Sequence, residues 1–141
     1  MILIEKLERF VKAQEADYEI ALKEIKKGKK KSHWMWYIFP QIKGLGHSWT
    51  SDFYGIRNEK EAKNYLTHPI LGQRLLEISG ELLKLEGKNA REIFGYTDAM
   101  KLRSSMTLFY LVSDNDIFYK VLKKYFCGDI DQKTKELLLA K

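Results

Sequence analysis

The stretch from Ala99 to Val112 constrains the fold of this chain more than any other. Met100, Met106, Leu108, Phe109, Leu111 and Val112 leave a helix there nearly apolar all round after its first two turns. Such a helix has no face to give to water and must be covered on every side. The rest of the chain therefore has to fold around it. With 141 residues the chain fits a single domain, 1–141, able to bury a core without disulfides or metals.

Helical spacing recurs elsewhere. Over residues 3–27, Leu3, Leu7, Phe10, Val11, Tyr18, Ala21, Leu22 and Ile25 share one stripe, with Gln14 as its polar member. Ser32 is placed to cap a short helix through His33–Ile38, which Pro40 stops. Asn58, with Glu61 three residues on, opens a helix over 59–66. His68-Pro69 opens the next, with an apolar face from Ile70 to Leu85. Asn89 caps a single turn, Ala90–Phe94. Thr97 or Asp98 caps the central helix, Asp114 or Asn115 the one after it, and Asp129 or Asp131 a last short one. In Trp49–Arg57 no period decides between helix and strand. No segment alternates apolar and polar residues, so the expected class is all-α: one compact multihelical domain of about six to eight helices around the central one.

The net charge is +6, and much of it sits in Lys26, Lys27, Lys29, Lys30 and Lys31. Surface lysines are ordinarily just solvated. The sharper expectation is attraction of a polyanion or a phosphate-bearing ligand. A lone cysteine, Cys127, forms no internal disulfide and points to a reducing compartment. No stretch is long and apolar enough to span a membrane, and MILIEKLERF lacks the layout of a signal peptide. The expectation is a cytoplasmic protein with no membrane partner.

The second informative stretch is His33–Ser48, HWMWYIFPQIKGLGHS. Large aromatics, polar handles and two glycines suit a shaped pocket better than a plain core element. Trp34, Trp36 and Tyr37 cannot all face one way on a helix. An indole stacks on a planar ring while its N–H donates a hydrogen bond. Gln41 follows Pro40, and Gly44 and Gly46 permit backbone to approach a ligand closely. Tyr54 is a further aromatic wall. Gln14 and His33 are candidates for directed hydrogen bonds. Each also has a plain structural reading, as a buried amide tie or a satisfied histidine.

The start of the central helix reads Asp98-Ala-Met-Lys101-Leu-Arg-Ser104-Ser105. Residues three and four apart share a helix face, so Asp98, Lys101 and either Ser104 or Ser105 form a row. Lysine is a point charge for an anion, and serine both donates and accepts. Asp98 would orient Lys101 or act as an acid–base group, with Lys101 and His33 as further catalytic candidates. The structural alternative makes Asp98 a helix cap and turns the serine hydroxyls back to preceding carbonyls. No metal-ligand spacing, P-loop, dinucleotide fingerprint or G-x-S-x-G elbow is present, so neither metal nor cofactor is expected.

Arg9–Gln14, Ser32–Gln41, Gly44–Gly46, Tyr65–Gly72 and Asp98–Phe109 together resemble the bacterial family of unknown function 1810. The resemblance implies a small helical single-domain protein and no established activity. Some members carry the label calpastatin, but nothing in this sequence supports a disordered protease inhibitor. A remoter likeness, in size, helical character and a polar–aromatic pocket, is to the NADAR-type N-glycosidases that remove ADP-ribose. The function expected is binding of a nucleotide-like or ADP-ribosyl-like small molecule. If the site is catalytic, the reaction expected is hydrolysis of an N-glycosidic bond. The alternatives are a basic nucleic-acid-binding module, through Lys26–Lys31, and a protein-interaction role without catalysis.

Overall fold

The computed structural model describes the backbone of residues 2–141 and the side chains of residues 7–141. Leu3, counted on the first stripe, lies outside the described side chains. Nine helices run through the described residues: α1 (Ile2–Lys26), α2 (Met35–Ile38), α3 (Trp49–Tyr54), α4 (Glu59–Thr67), α5 (Leu71–Lys84), α6 (Ala90–Phe94), α7 (Tyr96–Val112), α8 (Ile117–Phe126) and α9 (Gln132–Leu139). The class is all-α, with one helix more than the sequence suggested because Trp49–Tyr54 is helical. Ser48 caps that helix, its side chain accepting from the Ser51 amide.

α7 is the central element. Ala99, Leu102, Met106, Leu108 and Phe109 on it are fully buried. It packs against α8, α6, α9 and α4, while α5 packs against α1, α8 and α4. Aromatic contacts tie these layers together. Tyr65 of α4 lies 5.5 Å from Phe109, and Phe109 lies 5.7 Å from Phe118 of α8. On its other side Tyr65 meets Phe10 of α1 edge-on at 5.2 Å. One apolar core runs through all of these contacts.

Several boundaries differ from expectation for local reasons. α2 starts at Met35, not His33, because Ser32 is used elsewhere: its hydroxyl donates to Glu24 Oε2 at 2.5 Å. α7 starts at Tyr96, not Ala99. Gly95, at φ +80°, ends α6 and begins α7 directly, so Thr97 and Asp98 sit inside the first turn and neither is the cap. α5 starts at Leu71, and His68 serves its first turn: Nδ1 accepts from the Ile70 and Leu71 amides at 3.1 and 3.3 Å. Asn115 caps α8 from one residue outside, accepting from Ile117 N at 3.0 Å. The caps at Asn58, Asn89 and Asp131 stand as expected.

A β-bridge ties Ile42, at the start of the loop, to Ile56. Lys43 N donates to Ile56 O and Ile56 N donates to Gln41 O, each at 2.8 Å. Gly55 makes this approach possible: a Cβ there would stand 2.8 Å from Lys43 Cα. The bridge brings the glycine-containing loop beside α3, both next to the first turns of α7.

Candidate functional site

A cavity of about 320 Å³ lies where these segments meet. Trp36 comes from α2, and Gln41, Leu45 and Gly46 come from the loop after it. α3 contributes Ser51 and Tyr54. The first turns of α7 contribute Thr97, Met100, Lys101 and Ser104, and Asp131 closes the far side from the start of α9.

Lys101 and Trp36 form the charged wall. The Lys101 ammonium lies 4.1 Å from the centroid of the Trp36 ring, within cation–π range. Asp98 does not line the cavity but holds the ammonium: its Oδ1 is 3.2 Å from Lys101 Nζ, and its Oδ2 is 2.8 Å from Lys30 Nζ. Burial pushes the Asp98 carboxyl up, but hydrogen bonds and charge from Lys30 and Lys101 outweigh it, and the net direction is down. A carboxylate held by two ammonium groups positions its partners and is a poor proton donor.

The other walls carry neutral polar groups and one further carboxylate. Gln41 is buried, and its Nε2 is closed to solvent and has no hydrogen-bond partner among the described residues. Partial burial raises the Tyr54 hydroxyl above its ordinary pKa, so it remains a neutral O–H. Ser104 Oγ donates to Asp131 Oδ2 at 2.9 Å, with the Met100 carbonyl as its alternative acceptor at 3.2 Å. Thr134 adds two donors to the same oxygen, Oγ1 at 2.5 Å and its amide at 3.3 Å. The Asp131 amide donates to Thr107 Oγ1 at 2.9 Å, which pins the carboxylate against α7.

Four residues expected at the site lie elsewhere. Gln14 is a buried tie: Nε2 donates to Tyr37 O at 2.7 Å and to the Tyr65 hydroxyl at 3.0 Å, and Arg74 donates to Oε1 at 3.3 Å. Trp34 is fully buried and its Nε1 donates to Glu24 Oε1 at 2.9 Å, so it is core where Trp36 is wall. His33 is exposed, away from the cavity. Ser105 is fully buried and does not line the cavity, since it lies one residue and about 100° round the helix from Ser104. The cavity thus gathers Trp36, Gln41, Tyr54, Lys101 and Ser104, with Asp98 behind Lys101.

Sequence reasoning did not place Asp131, Thr97 or Met100 at the site. Asp131 was visible only as a helix cap; its approach to Ser104, 27 residues away, is made by tertiary folding. Among the described residues no group of three or more His, Cys, Asp or Glu side chains could hold a metal ion, and no helix is long and apolar enough to cross a membrane.

Residues 4–138 match the model of a family described as protein of unknown function (DUF1810). The chain is a DUF1810 protein. It is 44% identical to the conserved hypothetical protein Rv1873 from Mycobacterium tuberculosis, whose crystal structure superposes with a TM-score of 0.93 over 96% of this chain and 97% of that one. None of the curated proteins matches the chain. Neither description names an activity, so the likeness to ADP-ribose-removing N-glycosidases gains no support from them. In this DUF1810 chain, two segments that carry the family resemblance, Ser32–Gln41 and Asp98–Phe109, supply Trp36, Gln41, Met100, Lys101 and Ser104 to the cavity.

Proposed function

We propose that this DUF1810 protein binds a small nucleotide-like or ADP-ribosyl-like molecule in the cavity between α2, α3 and α7. The observation that carries the reading is convergence. An aromatic wall, a cation, a buried glutamine and a carboxylate come from separate chain segments to one place. About 320 Å³ falls at the small end of the roughly 300–1,000 Å³ of ligand sites, which suits a nucleoside-sized group. Apolar faces at Leu45 and Met100 with a few directed polar groups are the composition expected of such a site.

As chemistry, the reading extends to hydrolysis of an N-glycosidic bond. Water adds its oxygen to the anomeric carbon, the C–N bond breaks with its electron pair on nitrogen, and the proton that the water loses passes to the leaving nitrogen. A carboxylate beside the sugar orients the water and stabilises the cationic sugar of the transition state. Asp131 lines the cavity and suits that role; Asp98 is engaged by two lysines. Calorimetry with ADP-ribose and NAD, on wild type and on Lys101→Ala, tests binding. Chromatography for released base or ADP-ribose tests hydrolysis. Absence of binding to every nucleotide tried removes the reading, and binding without product reduces the site to a receptor.

A second reading is favoured by one separate feature. Lys23, Lys27, Lys29 and Lys31 line an outer groove with Ile20 and Glu24, and none of the four forms an ion pair among the described residues. Glu24 holds the backbone of this loop, accepting from the Lys31 and Ser32 amides at 2.8 and 3.0 Å. A row of exposed cations suits a nucleic-acid backbone. Affinity would then fall steeply between about 50 and 200 mM salt, as released counterions require. A salt-independent or absent gel shift excludes it.

A further inference from the structure

We propose that the cavity takes a pentose phosphate group in one direction, with the phosphate at Lys101 and the sugar hydroxyls at Asp131. This rests on the small-molecule reading above and names the ligand's class and orientation.

The argument for the anion begins with charge. Lys30 and Lys101 both reach Asp98, so two cations share one carboxylate and the cluster is one positive charge in excess. The Lys30, Lys101 and Asp98 side chains are only 8%, 22% and 20% exposed. Charge held away from water is poorly solvated and draws a counter-ion more strongly than surface charge does. Trp36 adds the second observation. Its ring lies 4.1 Å from the Lys101 ammonium and lines the same cavity, so the cation is held at the cavity wall. A phosphate there supplies the missing negative charge and accepts from the ammonium.

The opposite end of the cavity accepts. Asp131 Oδ2 already takes three donors, from Ser104 and Thr134. Oδ1 has Arg103 at 3.7 Å, beyond hydrogen-bond range, and so remains open to a donor from a ligand. The nearby guanidinium disfavours a second cation, so a neutral hydroxyl fits better than an ammonium. Lys101 and Ser104 stand three apart on one face of α7, a rise of ~4.5 Å along the helix axis, and Ser104 holds Asp131, so the ammonium and the carboxylate belong to neighbouring turns. A pentose phosphate carries its anion and its ring hydroxyls at separate ends, one for each group.

Calorimetry on the wild-type chain with adenosine, adenosine 5′-monophosphate, ribose 5-phosphate and inorganic phosphate tests this. The monophosphate is expected to bind at least about tenfold more tightly than adenosine, and ribose 5-phosphate more tightly than phosphate alone. Lys101→Gln erases the gap between monophosphate and adenosine. Asp131→Asn, which keeps a residue able to cap α9, weakens both by about tenfold and leaves the gap in place. Equal affinity for adenosine and its monophosphate, or a gap that survives Lys101→Gln, overturns the inference. If ADP-ribose or NAD still binds in that event, the pocket reading stands and only the assigned orientation falls. If no compound binds, both fall. Circular dichroism checks that each variant is folded; should one fail, the wild-type ligand series decides.

Discussion

Lys101 places its ammonium 4.1 Å above the ring of Trp36, joining the two segments that the sequence marks most strongly. The contact is partly shielded from water, so it is worth about 1 kcal/mol, between the exposed and desolvated ends of the cation–π range. A double-mutant cycle with Lys101→Met and Trp36→Leu, measured by urea unfolding, should give a coupling energy near ~1 kcal/mol. Additive single effects would mean that the pair is juxtaposed without interacting. The same Lys101 substitution should impair ligand binding far more than it impairs stability.

Ser105 should be expendable. Its hydroxyl is fully buried and has no hydrogen-bond partner among the described residues. An unpaired buried hydroxyl costs free energy, so Ser105→Ala is expected to be neutral or to stabilise by up to about 1 kcal/mol. Ligand affinity should not change. Ser104→Ala is the contrast, because it removes a donor to Asp131 and alters a cavity wall. A loss of binding in Ser105→Ala comparable to that in Ser104→Ala would contradict the geometry described for α7.

Much of this arrangement was legible in the sequence, and what was not has an identifiable cause. Helical periodicity located the central helix, and the aromatic stretch located one wall. Position on a helix also implied that Trp34 and Trp36, two residues apart, point to different sides. It did not say which one faces the core. That was decided by Glu24, which takes the Trp34 indole N–H from ten residues away. Gln14 stood out as polar on an apolar stripe, and its three partners lie 23, 51 and 60 residues off, beyond local pattern. Asp131 shows the same limit. Its local role, capping α9, was readable; its tertiary role, accepting from Ser104 at the cavity wall, depends on how α9 docks on α7. Asp98 erred the other way, since Gly95 carries the chain straight from α6 into α7 and frees the carboxylate for the lysines.

Gly72 should be the least replaceable glycine. It lies in the first turn of α5, where that helix crosses the end of α4. A Cβ there would stand 2.0 Å from the Leu66 carbonyl oxygen, far inside contact distance, and the obstacle is backbone. Relief requires α4 and α5 to move apart. Both pack on α7 or α1, so the shift spreads into the core. Gly72→Ala is expected to cost at least about 2–3 kcal/mol, at the upper end for overpacking. Thermal unfolding would show this as a lower midpoint. An unchanged midpoint would mean that the helix junction is looser than described.

Glu24 should make stability depend on acid. Its carboxylate accepts from the Lys31 and Ser32 amides, the Ser32 hydroxyl and the Trp34 indole. Burial pushes its pKa up, but these hydrogen bonds dominate and bring it from 4.5 down to about 2. The folded carboxyl thus ionises at lower pH than the unfolded one, so the unfolded chain takes up the proton first. Its contribution is complete above the unfolded value and is lost as pH falls through the folded one. Glu24→Gln removes the charge and sets an amide against donors, costing about 2 kcal/mol near neutrality. The gap between wild type and Glu24→Gln in urea midpoint should therefore hold above about pH 5 and narrow from there toward about pH 2. A gap that stays constant over that range would show that the Glu24 charge does not hold the lysine loop against α1.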